Sequence, residues 1–166
     1  MADRESQPEP PPETSGPARP RPQPRSRYAR FQPIVTRWGD NDVYGHVNNV
    51  VHYSFFDTAV NRHLIEAGAL DIHQGRVIGL VVQSQCHYFE PIAYPQTVHA
   101  GLRVAHRGRS SVHYEIGLFA DEAPLTAALG ALVHVYVDRA TRRPVPLPPA
   151  LQAALAPLNL DPPPEP

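Results

Sequence analysis

The chain has 166 residues, room for one domain, with a formal net charge of −1 and a single cysteine, Cys86. So small a charge argues against nucleic acid as the main partner, because neutralising phosphates needs clustered excess basic charge. One cysteine excludes an internal disulfide, and no apolar run reaches the roughly 18–20 residues of a membrane span. The first residues lack a signal peptide's apolar stretch, so the expectation is a cytoplasmic protein that does not engage membranes.

The ends are unlike the middle. Of 21 prolines, eight fall in residues 1–24 and nine in 144–166. Pro10-Pro11-Pro12 and Arg19-Pro20-Arg21-Pro22 cannot bury enough apolar surface to offset their ordering entropy, so 1–28 is expected to be a disordered Pro/Arg-rich arm. The folding unit is expected over 29–143, with 144–166 a Pro-rich segment. Within that segment Ala150–Leu158 has room for a short helix packed loosely on the rest.

In chain order, Phe31–Trp38 reads as a strand, and Val50–Ala67 is the one strong helix candidate. Asn48 suits its N-cap, and Gly68 suits the left-handed position just past its end. Its apolar residues cover most of the circumference, which predicts a helix wrapped by other elements. Val77–Phe89 reads as another strand. Val98, Ala100, Leu102 and Val104 then alternate with polar residues, as do Val112, Tyr114, Ile116 and Leu118 after a Gly-containing link. A last strand sets Ala131, Val133, Val135 and Val137 on one face. Long, consecutive, two-toned strands predict an antiparallel sheet, and with the helix an α+β fold. Its uncovered edges predict a dimer.

Residues 37–53 carry the chemistry. Asp42 stands a few residues before the helix start, where unpaired N–H groups and about half a positive charge collect. Such donors can hold a carbonyl oxygen as it turns negative, while the carboxylate attacks or activates water. An activated acyl group, above all a thioester, suits that pair. Asp42 could equally be a turn residue bonding nearby backbone. Asp40 reads as a structural turn residue, and Asp57, in the middle of the helix, as a partner for Asn61 or a nearby arginine.

The run Asp40-x-Asp42-x-x-Gly45-His46-Val47-Asn48-Asn49 before an aromatic-rich helix, with Val77-Ile78-Gly79 and Arg107-Gly108-Arg109-Ser110 following, resembles the hotdog-fold acyl thioesterases. The likeness is to the 4-hydroxybenzoyl-CoA thioesterase-like branch in particular, and it spans about 29–140. The His-Val-Asn-Asn segment is also similar to plant acyl-carrier-protein thioesterases. The resemblance implies a hotdog fold: a long central helix wrapped by a curved antiparallel five-stranded sheet. It also implies homodimers or homotetramers with sites at subunit interfaces, and an acyl-CoA or acyl-carrier-protein thioester as substrate.

By the same resemblance, Asp42 is the catalytic carboxylate and Asn49 supplies a backbone N–H to the thioester carbonyl. His46 either bonds the substrate or Asp42, or steadies the start of the helix. Gly79 either lets backbone approach the thioester or marks a bulge. Arg107, Arg109 and Ser110 either clamp the phosphates of coenzyme A or only solubilise a turn. No metal-ligand cluster is apparent and no cofactor is called for. Two other readings stay open: a hotdog hydratase or dehydratase, and a non-catalytic module that binds an acyl-thioester.

Overall fold

A computed structural model describes residues 20–159. Five strands form one antiparallel sheet: β1 (Arg30–Val35), β2 (Val77–Tyr88), β3 (Thr97–Arg107), β4 (Ser111–Ala120) and β5 (Ala128–Asp138), in the order β1-β3-β4-β5-β2. One helix of 18 residues, α1 (Asn49–Glu66), lies between β1 and β2 in sequence and against one face of the sheet in space. A short helix, α2 (Pro149–Leu155), follows β5.

The ends of α1 are where the sequence puts them. The Asn48 side chain accepts from the Val50 N–H, and Gly68 adopts φ +67° just past the last turn. The expected long central helix, wrapped on all sides, is not what forms. His52, Phe55, Phe56, Ala59, Val60, His63 and Leu64 are buried, while Ser54, Asp57, Thr58 and Arg62 stay exposed. Val50 and Ile65, counted toward an all-round apolar surface, are 68% and 44% exposed. A single chain's sheet offers one layer, so it covers one side of the helix and leaves the other open. Asp57 meets Asn61 at 3.0 Å, the pairing its position predicts.

The helix-facing layer contains the expected alternating sets of β3 and β4, all of them buried. β5 is the exception. It buries Ala128, Gly130, Leu132, His134 and Tyr136, whereas of the opposite face Val137 is buried and Ala131, Val133 and Val135 sit half-exposed. The reason lies at Gly130, where a Cβ would collide with the fully buried Phe56 ring. The largest side chain of α1 needs a residue without one beneath it, and that fixes which face of β5 turns inward. In β2 a bulge between Val81 and Gln83 reverses the alternation, so the face legible at one end of the strand is the wrong one at the other.

The outer face is sealed in part by chain that composition assigned to the arm. Tyr28, 5% exposed, lies over the cross-strand pair Gly101 and Gly117, whose missing side chains make its slot. Its ring meets Phe119 edge-on at 5.6 Å, and the Arg25 guanidinium stacks 4.8 Å from the centre of the same Phe119 ring. The expected disorder of residues 1–19 lies outside the described residues. The segment after β5 does not pack loosely: Leu147, Leu151, Leu155 and Leu158 join the main core. Among the described residues no helix is long and apolar enough to cross a membrane.

If Gly130 makes room for Phe56, Gly130→Ala will cost about 1–3 kcal/mol in urea unfolding. The cost will shrink when Phe56→Leu is made in the same chain, and purely additive losses would show that the two residues do not compete for space.

Candidate active site

The segment from Arg37 to Asn49 folds as a pinned loop. Its first anchor is Asp40, buried and bonded to the Arg37 backbone N–H at 2.7 Å and to the Arg37 guanidinium at 2.8 and 3.1 Å. Burial alone would raise the Asp40 pKa; the hydrogen bonds and charge of Arg37 outweigh it and hold the carboxyl below its ordinary range. Asp40 is thus the structural turn residue the sequence suggested. Its backbone carbonyl accepts the Asn48 N–H at 2.8 Å, which ties the loop's start to the helix N-cap.

Between these anchors the chain doubles back. Asn41 bridges Val47, the Asp42 N–H donates to the His46 carbonyl at 2.8 Å, and Gly45 turns the chain with φ +85°. Val47 is buried and donates to the Ile92 carbonyl at 2.7 Å, so the loop is also fastened to the chain after β2. Asp42 is half-buried, and its Oδ1 accepts the Tyr44 N–H at 2.8 Å, with the His46 N–H farther off at 3.5 Å. The turn-forming role is therefore real, but it occupies one oxygen. Oδ2 has no hydrogen-bond partner among the described residues.

The helix start offers less than its full set of donors. The Val50 N–H is taken by the Asn48 side chain at 3.1 Å. The Asn49 N–H has no partner among the described residues. Asp42, His46 and Asn49 line one cleft of about 340 Å³.

Three residues that sequence reasoning did not place there share its wall: His52, Tyr88 and Glu90. His52 is buried, with Nδ1 3.1 Å from the Asn48 carbonyl; a carbonyl only accepts, so Nδ1 carries the proton. Burial pushes its pKa down, and the imidazole stays neutral at pH 7. Its ring stands edge-on to Tyr88 at 5.0 Å, and the Tyr88 hydroxyl reaches toward the Asn49 carbonyl at 3.4 Å. Position 52 lies one turn from the N-cap, and that spacing was the available signal for it. Nothing in the sequence signals Tyr88 or Glu90, because the β2 bulge decides where they point.

The other expected residues are elsewhere. Gly79 pairs with Tyr136, whose N–H donates to the Ser110 carbonyl at 2.7 Å, so Gly79 and the Arg107–Ser110 hairpin sit together at one end of the sheet. Tyr88, beside Asn49, is nine residues along β2 from Gly79, roughly 30 Å at about 3.4 Å per residue. The space over the Gly79 Cα is filled by Tyr136 and His134, which a Cβ would meet at 3.1 and 3.2 Å. A second cavity, of about 260 Å³, opens at this end between α1, β2 and β5. Within one chain the seven expected residues thus fall into two groups. Among the described residues no cluster of three or more His, Cys, Asp or Glu is placed to hold a metal ion.

Because Asp40 is held charged, Asp40→Asn will lower the melting temperature by roughly 3–6 °C at pH 7. A depressed carboxyl pKa gives stability that is present above its unfolded value and is lost as pH falls through the folded one. The gap between the two proteins will therefore close in acid. A gap independent of pH would remove the charge from the explanation.

Residues 36–155 match the thioesterase-like superfamily. Among solved structures, the PA5185 protein from Pseudomonas aeruginosa strain PAO1 is 56% identical, with 83% of this chain and 96% of that one covered and a TM-score of 0.81. The PA2801 protein of Pseudomonas aeruginosa is 32% identical, covering 78% and 99%, with a TM-score of 0.72. A thioesterase from Thermus thermophilus, complexed with coenzyme A and Zn, is 29% identical, covering 77% and 92%, with a TM-score of 0.64. A search among curated proteins gives no match.

Proposed function

Since the chain belongs to the thioesterase-like superfamily and has the hotdog fold, we propose that it is an acyl-CoA thioesterase whose chemistry occurs in the cleft at Asp42. The observation that carries this reading is the meeting, in one cleft, of a carboxylate with an unpartnered oxygen and a helix-start N–H with no acceptor. The Asn49 N–H and the positive end of α1 polarise the thioester carbonyl. One such donor is typically worth about 3–4 kcal/mol in the transition state. Asp42 Oδ2 either attacks the carbonyl carbon, giving a mixed anhydride that water then opens, or takes a proton from the attacking water. In both routes the C–S bond breaks, the sulfur leaves as thiolate and is protonated, and a free acid remains. Coenzyme A supplied by the substrate is the group that the Thermus thermophilus thioesterase holds. His46 lines the cleft and is available to the substrate; the N–H facing Asp42 is its backbone one.

The two groups of site residues are reconciled by a second copy of the chain. β2 is an edge strand of 12 residues, with Val81 and Val82 50% and 61% exposed, which is a template for pairing. Antiparallel self-pairing about the middle of the strand sets the Gly79 end of one copy opposite the Tyr88 end of the other. That brings the partner's end of the sheet, with its arginine hairpin, to the cleft at Asp42. There guanidinium groups suit the phosphates of coenzyme A. A symmetric dimer completes two sites at once.

A free-thiol release assay over a panel of acyl-CoA esters, with Asp42→Ala alongside, tests the assignment. Turnover of at least one ester is expected, falling by at least ~100-fold in the variant with the fold intact. Wild-type turnover in Asp42→Ala, or binding of the esters without any hydrolysis, would contradict it.

A further inference from the structure

His52 sits one turn into α1, and the reaction at Asp42 has not used it. A helical side chain leans back toward the helix start. Here the lean is fixed, because Nδ1 lies 3.1 Å from the Asn48 carbonyl. The Tyr88 ring stands edge-on to the imidazole at 5.0 Å, and the Phe55 ring lies 6.4 Å away on the same helix. Tautomer and orientation are both set. With the proton on Nδ1, Nε2 carries a free lone pair.

That lone pair has no hydrogen-bond partner among the described residues. An unpaired buried nitrogen ordinarily destabilises a protein, and a phenylalanine would pack against Tyr88 without that cost. Nε2 of His52 is not sealed inside the protein, however, as Nε2 of His134 is. His52 is 4% exposed, and it lines the cleft shared by Asp42, His46 and Asn49, which is where its remaining surface opens. His46, the other histidine of the cleft, is exposed, and no hydrogen bond to its ring fixes it among the described residues.

The covalent route needs a group of this kind. Once Asp42 has attacked, its carboxylate is held in the mixed anhydride and cannot take a proton from the water that must open it. An imidazole is ordinarily the stronger base than a carboxylate such as Glu90 by about two pKa units, which puts it nearer neutral pH. Burial pushes the His52 pKa down, so the ring is in its accepting form at pH 7. Two separate free atoms, Asp42 Oδ2 and His52 Nε2, suit two separate steps.

Resting on the thioesterase reading, we propose that Asp42 is the nucleophile and that His52 Nε2 is the general base for the water that opens the mixed anhydride. In that step a water O–H bond breaks as Nε2 takes the proton, and the water oxygen bonds the acyl carbon. The anhydride C–O bond breaks and returns its electron pair to Asp42 as carboxylate. A carboxylic acid leaves, and the imidazolium gives its proton to solvent. The thiolate released in the first step has already drawn one from solvent, so protons balance over the cycle.

The test separates the two steps in time. The substrate is whichever of acetyl-, hexanoyl-, palmitoyl- or benzoyl-CoA the wild type hydrolyses fastest. His52→Gln can keep the bond to the Asn48 carbonyl through its amide but offers no base. In rapid mixing, this variant is expected to release a burst of thiol approaching one per protomer at close to the wild-type rate. Steady turnover is then expected to run at least ~100-fold slower. Intact-protein mass is expected to rise by one acyl group during the burst, and the adduct to be absent when Asp42→Ala is added. A merely structural loss would slow the first turnover as much as the later ones. Should His52→Gln fail to fold, His52→Phe keeps the packing against Tyr88 and gives the same readout. A first turnover slowed equally with no adduct, or turnover as fast as wild type, would overturn the role of His52 and leave the thioesterase reading standing. Hydrolysis of none of the four esters by the wild type would defeat that reading and this step with it.

Discussion

The site depends on one hydrogen bond, from the Asn48 N–H to the Asp40 carbonyl, which closes the loop that ends in α1. Arg37 clamps Asp40 from one side, and Val47 is fastened to Ile92 from the other. With both ends of the loop fixed, Asp42 has little freedom, and its local bonds to Tyr44 and His46 orient the carboxylate without consuming both oxygens. Asn48 spends its side chain on the Val50 N–H, and the N–H of Asn49, which lines the cleft, has no partner among the described residues. In the proposed reaction this geometry costs no reorganisation when charge develops, because loop and helix dipole are already in place.

The sheet and helix serve that arrangement by setting where the helix start can lie. Phe56 sits on Gly130, and this contact seats α1 on the sheet at mid-length. From that seat, one end of the helix projects toward Tyr88 and the loop, and the other toward Gly79 and the second cavity. The open side of α1 and the bare edge of β2 are the two features a lone chain leaves unfinished. Both are consistent with a protein completed by its own copy.

Much of this was legible in the sequence, for physical reasons that differ by element. The helix limits were readable because caps are local: Asn48 and Gly68 act on neighbours within a few residues. The faces of β3 and β4 were readable because neither strand carries a mid-strand irregularity in its buried stretch. β5 misled, since its three valines share the face opposite Gly130 and His134, and only the distant Phe56 explains why Gly130 must lie beneath the helix. The arm boundary misled in the same way: proline content signals disorder, yet Tyr28 finds its slot on a glycine pair some 70 to 90 residues later in the chain. Asp42, His46 and Asn49 meet because they lie on one short segment. Tyr88 and Glu90 depend on long-range pairing and a bulge, which no local pattern records.

In the proposed reaction a single main-chain N–H, that of Asn49, polarises the reacting carbonyl. Asn49 is the first residue of α1, a position where proline is well tolerated, and Asn48, with φ −57° and ψ 139°, is already extended as a residue before proline must be. Asn49→Pro therefore deletes that one donor and leaves the helix in place, while Asn49→Ala removes only the side chain. The most direct measurement is kcat for the two variants on the best acyl-CoA ester. A loss of about 10²–10³-fold is expected for proline and little change for alanine. Equal activity in both would contradict it.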